Sequence, residues 1–141
     1  MNKSGPIIII EDELGDQELL KIVFDELNYK HDLMFFNDGE KALAYLTASA
    51  NEPFIILSDI NMPRLNGLEL KESIETNEDL RIKCIPYLFF STSGEQRFVL
   101  EAYSKSVQGF FVKPDSVEKL KNTIKIIIQY WQECESPHYI K

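Results

Sequence analysis

Five polar residues lie just past the ends of four separate apolar runs of the sequence, and their side chains suit one kind of chemistry. They are Glu11, Asp12, Asp59, Ser91 and Lys113. Carboxylates can hold a divalent cation, while a hydroxyl and an ammonium can bind the oxygens of a phosphoryl group. If the apolar runs are parallel strands of one sheet, all five side chains meet at the edge where open α/β sheets bind ligands. The residues therefore predict a site for a cation and a phosphoryl group.

The apolar pattern alternates five times between strand-like runs and helical spacing. A continuous run such as residues 7–10 indicates a strand covered on both faces, whereas Leu20, Val23 and Leu27 follow helical spacing. Because crossovers between parallel strands are right-handed, we predict an α/β fold, a doubly wound five-stranded parallel sheet with five helices on both faces. The predicted strands cover residues 7–10, 32–36, 54–57, 84–90 and 109–112, and the predicted helices lie around residues 15–28, 42–46, 68–75, 98–103 and 117–131.

Four of these helices could begin with a capping pair, in which a polar side chain accepts from the third helical amide. The pairs are Asn37 with Glu40, Asn66 with Glu69, Ser93 with Gln96, and Asp115 with Glu118. Each pair follows a strand by a short loop, so the partly positive helix N-termini should gather at the same sheet edge and favour an anion there.

The size and charge of the chain limit its class. Its 141 residues suit one domain, predicted at residues 5–132, with a polar tail at residues 133–141. A net charge of −8 argues against nucleic-acid binding, and no apolar run approaches the roughly 20 residues that span a bilayer. Cys84 and Cys134 match no metal or disulfide pattern and are interpreted as free thiols. We expect a cytoplasmic protein.

Asp59 is the predicted nucleophile, because a carboxylate at the end of a buried strand can attack a phosphoryl group. A hard cation would offset the repulsion between the two anions, and Mg²⁺ suits such a site. Asp12 fits a direct ligand of the cation, Glu11 a ligand through water, and the backbone carbonyl of Asn61 a third. Lys113 and Ser91 would then donate to phosphoryl oxygens.

The segment that follows Asp59 carries ordinary turn residues. Pro63 and Gly67 are expected to fix the backbone of the loop that holds the nucleophile. His31 and His138 could act as phosphoryl donors, but surface roles are expected for both, so a donor histidine should come from another protein.

The chain resembles the receiver domains of two-component response regulators, from Ile7 to about Trp131. The resemblance implies a flavodoxin-like strand order of 2-1-3-4-5, with Asp59 as phosphoacceptor, Glu11 and Asp12 as the acidic metal pair, and Mg²⁺ or Mn²⁺ as cofactor. It makes Ser91 the switch hydroxyl and Lys113 the lysine before Pro114, with a cis bond between the two. Phe110 stands at the aromatic switch position, and Thr92 is bulkier than the small residue often found after the switch hydroxyl. Asn61 and Ser93 flank the site and should tune hydrolysis.

The resemblance also implies a function. The phosphoryl group would come from a histidine kinase or a histidine phosphotransfer protein, and the only reactions would be self-phosphorylation and self-dephosphorylation. The output would be a changed protein-binding face on the fourth helix, fifth strand and fifth helix, where Ile126 and Tyr130 could belong to a homodimer or partner surface.

Other functions fit the sequence less well. We expect no output domain after the last helix, so the chain resembles a stand-alone receiver, and a phosphorelay intermediate remains open. A pseudo-receiver that binds partners without phosphorylation is the next alternative. A phosphatase with an aspartate nucleophile would place it after the first strand, where Glu11, Asp12 and Glu13 stand instead, and a dinucleotide-binding enzyme would need a glycine-rich turn there.

Overall fold

The computed structural model of the protein describes residues 1–48, 50, 52–92 and 94–137. Five parallel strands form one sheet in the order β2-β1-β3-β4-β5, as predicted. The strands are β1 (Ile7–Ile10), β2 (Leu33–Phe36), β3 (Ile55–Ser58), β4 (Tyr87–Ser91) and β5 (Gly109–Val112). The helices are α1 (Leu14–Leu27), α2 (Gly39–Ala48), α3 (Gly67–Thr76), α4 (Glu78–Arg81), α5 (Gln96–Ser104) and α6 (Val117–Glu133).

The sheet separates two hydrophobic cores, because successive side chains of a strand point to opposite faces. In β1, Ile8 and Ile10 pack on the face covered by α2, α3 and α5, while Ile7 and Ile9 pack on the face covered by α1 and α6. All four isoleucines are at most 1% exposed. This explains why β1 is continuously apolar instead of alternating, and it confirms the doubly wound arrangement.

The described residues contain six helices where five were predicted. The additional helix, α4, is a single turn whose N-cap is Asn77, and the Asn77 side chain accepts from the Leu80 amide at 3.1 Å. It lies between the predicted third helix and the predicted fourth strand, and that strand begins at Tyr87 rather than residue 84. Cys84 lies between α4 and β4 with φ of 51°, a left-handed conformation that is incompatible with a strand.

Of the predicted capping pairs, Asn66 with Glu69 forms a complete capping box. Two others were placed one residue too early: Asp38 accepts from the Lys41 amide at 2.8 Å and Ser116 from the Lys119 amide at 3.2 Å. At both sites a second polar residue stands one position closer to the helix and makes the bond. Ser93 lies outside the described residues, and α5 has no side-chain cap at Glu95.

The N-terminal segment contacts the end of α6 and the residues after it. His31 Nε2 lies 2.8 Å from the Lys3 carbonyl oxygen, which also accepts from Gln132 Nε2 at 3.0 Å. The His31 ring stacks on Phe54 at a centroid distance of 5.0 Å. The surface role expected for His31 is therefore wrong, because its ring is half-buried in these contacts, while His138 lies outside the described residues.

Two further expectations concern the surface of the molecule. Cys84 and Cys134 are both free thiols. Within the described part of the chain, none of the helices has the length and apolar character that crossing a bilayer requires.

Candidate functional site

The strand register brings the predicted acidic residues to one place. Ile10 of β1 pairs with Ser58 of β3, and the Asp59 amide donates to the Ile10 carbonyl at 3.0 Å. The chain after β1 and the chain after β3 therefore leave the sheet side by side. Carboxylate oxygens of Glu11, Asp12 and Asp59 all lie within 4.8 Å of one another.

These three carboxylates differ in their exposure to solvent. Glu11 is 2% exposed, Asp59 is half-buried and Asp12 is exposed. The three carboxylates thus form an acidic cluster that is open to solvent at Asp12 and closed at the buried Glu11. Its donor atoms are all oxygens, which suits Mg²⁺ or Mn²⁺ rather than a soft metal.

Lys113 places a single ammonium beside the acidic cluster. It follows β5, and its amide donates to the Ser91 carbonyl at 2.8 Å. Its Nζ donates to Glu11 and to Asp16, the latter at 2.8 Å, and lies 3.5 Å from Asp59 Oδ2. Only 14% of the Lys113 side chain is exposed, so these charges interact with little screening.

Asp16 was not among the residues predicted for the site. It stands in the first turn of α1, where an acidic side chain is common because it complements the helix N-terminus. Because this role already explains an acidic residue at position 16, there was no reason in the sequence to expect a contact with Lys113. Asp16 and Lys113 are 97 positions apart, so no local pattern in the sequence indicated the contact.

Burial changes the titration of two groups in the site. Desolvation raises the pKa of the Glu11 carboxyl to about 7, with Asp59 adding to the shift and Lys113 opposing it. For Lys113, burial alone would lower the pKa, but the hydrogen bonds to Asp16 and Glu11 outweigh it and raise the pKa. Lys113 therefore remains an ammonium throughout the physiological range, whereas Glu11 is poised to exchange a proton.

The loop after Asp59 is shaped by close backbone contacts. The Ile60 amide donates to Asp59 Oδ1 at 2.8 Å, which fixes one carboxylate oxygen. The Leu65 amide donates to the Pro63 carbonyl at 2.8 Å, and Arg64 between them has φ of 67°. Thus Arg64 carries the left-handed turn of this loop.

Gly67 is required for space and not for an unusual φ. A Cβ at this position would lie 2.2 Å from the Asp59 carbonyl oxygen and 2.7 Å from the ring of Phe89. The start of α3 can approach the Asp59 backbone only because residue 67 has no side chain.

A buried network of hydroxyl groups makes hydrogen bonds to the backbone at Asp59 and Gly67. The Ser58 hydroxyl donates to the Asp59 carbonyl at 2.8 Å. The Tyr87 hydroxyl lies 2.9 Å from Ser58 Oγ and 2.8 Å from the Gly67 carbonyl. Burial raises the pKa of Tyr87, so its hydroxyl stays a donor. Neither Ser58 nor Tyr87 was singled out in the sequence: Tyr87 falls inside the predicted fourth strand, and Ser58 stands between the predicted third strand and Asp59.

The structure places the remaining predicted site residues as follows. Ser91 is the last residue of β4 and is 1% exposed. Phe110 lies on the adjoining strand β5, half-buried, with its ring centroid 6.0 Å from that of Phe89. Asn61 and Thr92 are exposed near the site, and Ser93 lies outside the described residues.

The expected cis bond before Pro114 is not found, since no peptide bond among the described residues is cis. Trans is the lower-energy form even before proline, by about 0.5–1 kcal/mol. Lys113 reaches the acidic cluster with this trans bond.

A family comparison identifies the chain. The family model described as "Response regulator receiver domain" matches residues 7–125, most of the chain. The chain belongs to the response regulator receiver domains. This confirms the resemblance found in the sequence, together with its flavodoxin-like fold.

The relatives of this receiver domain include regulators of similar length. One is a probable methanogenesis regulatory protein, FilR2, of Methanothrix harundinacea, 30% identical over 129 residues that cover 89% of this chain and 82% of the relative. Another is the response regulator Rcp1 of Synechocystis sp., 29% identical over 137 residues, 94% of this chain and 92% of Rcp1.

Solved structures of receivers superpose closely on this one. The phosphorylated cyanobacterial phytochrome response regulator RcpA gives a TM-score of 0.84 at 27% identity, covering 94% of this chain and 98% of RcpA. The Mn²⁺-bound form of Rcp1 gives 0.80 at 28% identity with the same coverage. Phosphorylation and divalent-metal binding are thus known in receivers similar to this one.

The raised pKa of Glu11 predicts a pH dependence for the metal-free receiver. Because its folded value of about 7 exceeds the ordinary 4.5, the folded state retains a proton that the unfolded state releases. This contribution to stability is present below pH 4.5 and is lost as the pH rises through about 7. The free energy of unfolding, measured with urea in the presence of a chelator, should therefore contain a contribution that decreases with rising pH in the wild type. This contribution should be missing in Glu11→Gln. Identical pH profiles for the two proteins would contradict this assignment.

Proposed function

We propose that this receiver is a signalling switch that accepts a phosphoryl group on Asp59 in a reaction that requires Mg²⁺ or Mn²⁺. The observation that carries the proposal is the meeting of three carboxylates within 4.8 Å, with the Lys113 ammonium 3.5 Å from Asp59. A buried structural ion pair would not need Asp12, which is exposed and contributes a third negative charge to the group.

In this proposal Asp59 is the nucleophile. The Ile60 amide holds its Oδ1 at 2.8 Å, and its side chain is 13% exposed, so one edge of the carboxylate is fixed while the site remains open to a donor. A carboxylate oxygen would form a bond to phosphorus while the phosphorus–nitrogen bond of a phosphohistidine breaks. The products are an aspartyl phosphate and the donor's free imidazole.

The acidic residues beside Asp59 would bind the cation. In this proposal Asp12 supplies a direct ligand, Glu11 a ligand through water, and Asn61 its backbone carbonyl. When bound, the cation neutralises charge shared between the attacking carboxylate and the phosphoryl oxygens. Cation binding also favours loss of the proton that burial holds on Glu11.

Lys113 and Ser91 would bind the transferred group. The Lys113 ammonium is already beside Asp59, and its raised pKa keeps it charged. Ser91, at the end of the neighbouring strand, would donate its hydroxyl to a phosphoryl oxygen. Pro63 and Gly67 shape the loop around the acceptor, Pro114 follows the lysine, and Asn61 and Ser93 would tune hydrolysis.

The signal would leave the site through Ser91 and Phe110. Movement of Ser91 toward the phosphoryl group would open space for the Phe110 ring, which packs 6.0 Å from Phe89 and has no hydroxyl to bond. Such a packing change would alter the surface of α5, β5 and α6, a two-state element biased by a local charge. That surface exposes large apolar side chains, at Leu100, Tyr103, Val112, Ile126 and Tyr130.

The partners in this proposal follow from the chemistry of the site. A histidine kinase or histidine phosphotransfer protein would supply the phosphoryl group, and a downstream protein or a second copy of the chain would bind the apolar surface just described. A relay role differs only in that the phosphoryl group passes onward. We place the protein in the cytoplasm, where an exposed thiol such as Cys84 stays reduced.

Metal removal tests the proposal. Incubation with acetyl phosphate and Mg²⁺ should add one phosphoryl group, detected as intact mass and lost in base. An excess of chelator should reduce the rate to background, because the clustered carboxylates would then repel the donor. Sustained hydrolysis of added phosphoesters, or a mass change that is insensitive to the chelator, would contradict the proposed function.

A further inference from the structure

The Lys113 ammonium is shared among three acids, and its contact with the predicted phosphoacceptor is the longest. Nζ donates to Glu11 and lies 2.8 Å from Asp16 Oδ2, but 3.5 Å from Asp59 Oδ2. An ammonium has three N–H donors. Two of them are therefore taken by residues on the α1 side of the site before any phosphoryl group arrives.

Asp16 differs from the other acids around Lys113. It stands on α1, 32% exposed, outside the group of carboxylates whose oxygens lie within 4.8 Å. It is therefore not placed to share a cation with Asp59. Asp16 contacts the site through its ion pair with Lys113, and this hydrogen bond is the strongest influence that raises the pKa of Lys113.

We propose that Asp16 is a positioning residue that holds the Lys113 ammonium back from Asp59 until phosphorylation, and so slows phosphoryl transfer. This inference rests on the proposed function. A phosphoryl group arriving on Asp59 attracts the ammonium, and the same side chain must lengthen its contact with Asp16 to reach it. Two anions thus compete for one cation, and the charge of Asp16 sets the strength of the competition.

The charge of Asp16 can be removed with little change in shape. Asp16→Asn should raise the rate of phosphorylation by acetyl phosphate at saturating Mg²⁺ by up to about fivefold, the upper limit expected for a partly exposed ion pair. Asp16→Glu keeps the charge and should retain a rate close to that of the wild type. The matched control is Glu18→Gln on the same helix, whose carboxylate is 70% exposed and pairs with Lys21 at 3.5 Å, and its rate should not change.

A double-mutant cycle separates an effect through Lys113 from a general effect of charge. In a Lys113→Met background, where phosphorylation is followed over hours, Asp16→Asn should have no effect on the rate. An equal increase in both backgrounds, an increase in Glu18→Gln, or a slower Asp16→Asn variant would each overturn the inference.

The two proposals fail in different ways. A wild-type protein that takes no phosphoryl group on Asp59 would refute the proposed function. A wild type that is phosphorylated on Asp59, with an unchanged rate in Asp16→Asn, would refute only the role of Asp16.

Discussion

Asp59→Asn should accept no phosphoryl group from acetyl phosphate under conditions that phosphorylate the wild type. An amide has no anionic oxygen to attack phosphorus, yet its carbonyl can still accept the bond from the Ile60 amide that Asp59 Oδ1 accepts at 2.8 Å. The loss should therefore come from chemistry and not from misfolding. Intact mass after incubation with Mg²⁺ measures it directly.

The same substitution should stabilise the metal-free protein. Asp59 adds to the raised pKa of Glu11, so removing its charge relieves repulsion inside the acidic cluster. Asp25→Asn on the exposed face of α1 serves as the matched control and should be phosphorylated like the wild type. A phosphorylated Asp59→Asn protein with a native unfolding curve would exclude Asp59 as the acceptor.

Lys113→Met should slow phosphorylation by about 10²–10³-fold, the usual cost of losing one positioned donor to developing charge. Methionine fills similar space but leaves Glu11, Asp16 and Asp59 without their shared cation. The rate is measured from the growth of the phosphorylated mass with time at saturating Mg²⁺.

The same variant should be less stable without metal, by up to about 3 kcal/mol, because carboxylates that are partly buried lose their partner. Divalent cations should recover part of this loss, since they replace the missing positive charge. Lys119→Met is the matched control, because its ammonium is on α6 and 71% of its side chain is exposed. Equal rates in Lys113→Met and Lys119→Met would remove Lys113 from the site.

The convergence of the acids was predictable from the sequence because it depends on topology. Parallel strands place their carboxyl ends at one edge, so the residues after β1 and β3 had to meet once the strand order was known. The pairing of Ile10 with Ser58 realises this expectation. The central strands could be predicted from continuous apolar runs such as Ile7–Ile10, without knowledge of side-chain positions.

Other features depend on contacts that the sequence does not encode locally. The ion pair between Asp16 and Lys113 joins residues 97 positions apart, and the network of Tyr87 with Ser58 joins residues 29 apart. Both involve residues whose local role, in a helix turn or a strand, is already sufficient to explain them. Only the packed structure reveals their second role.

The sequence also did not show which of two adjacent polar residues caps a helix. Asp38 caps α2 in place of Asn37, and Ser116 caps α6 in place of Asp115. Each pair offers two acceptors one residue apart, and the sequence alone does not choose between them. The single-turn helix α4 was readable in principle, since Asn77 is followed by two acidic residues that favour a helix start.

The account depends on where the phosphoryl group is attached, so the most direct measurement is its location in the wild-type protein. Borohydride reduces an acyl phosphate of aspartate to homoserine, and peptide mass analysis then identifies the converted residue. We expect homoserine at position 59 alone, formed only when acetyl phosphate and a divalent cation are both present. Conversion at Asp12, or a phosphorylated protein without any homoserine, would contradict the account.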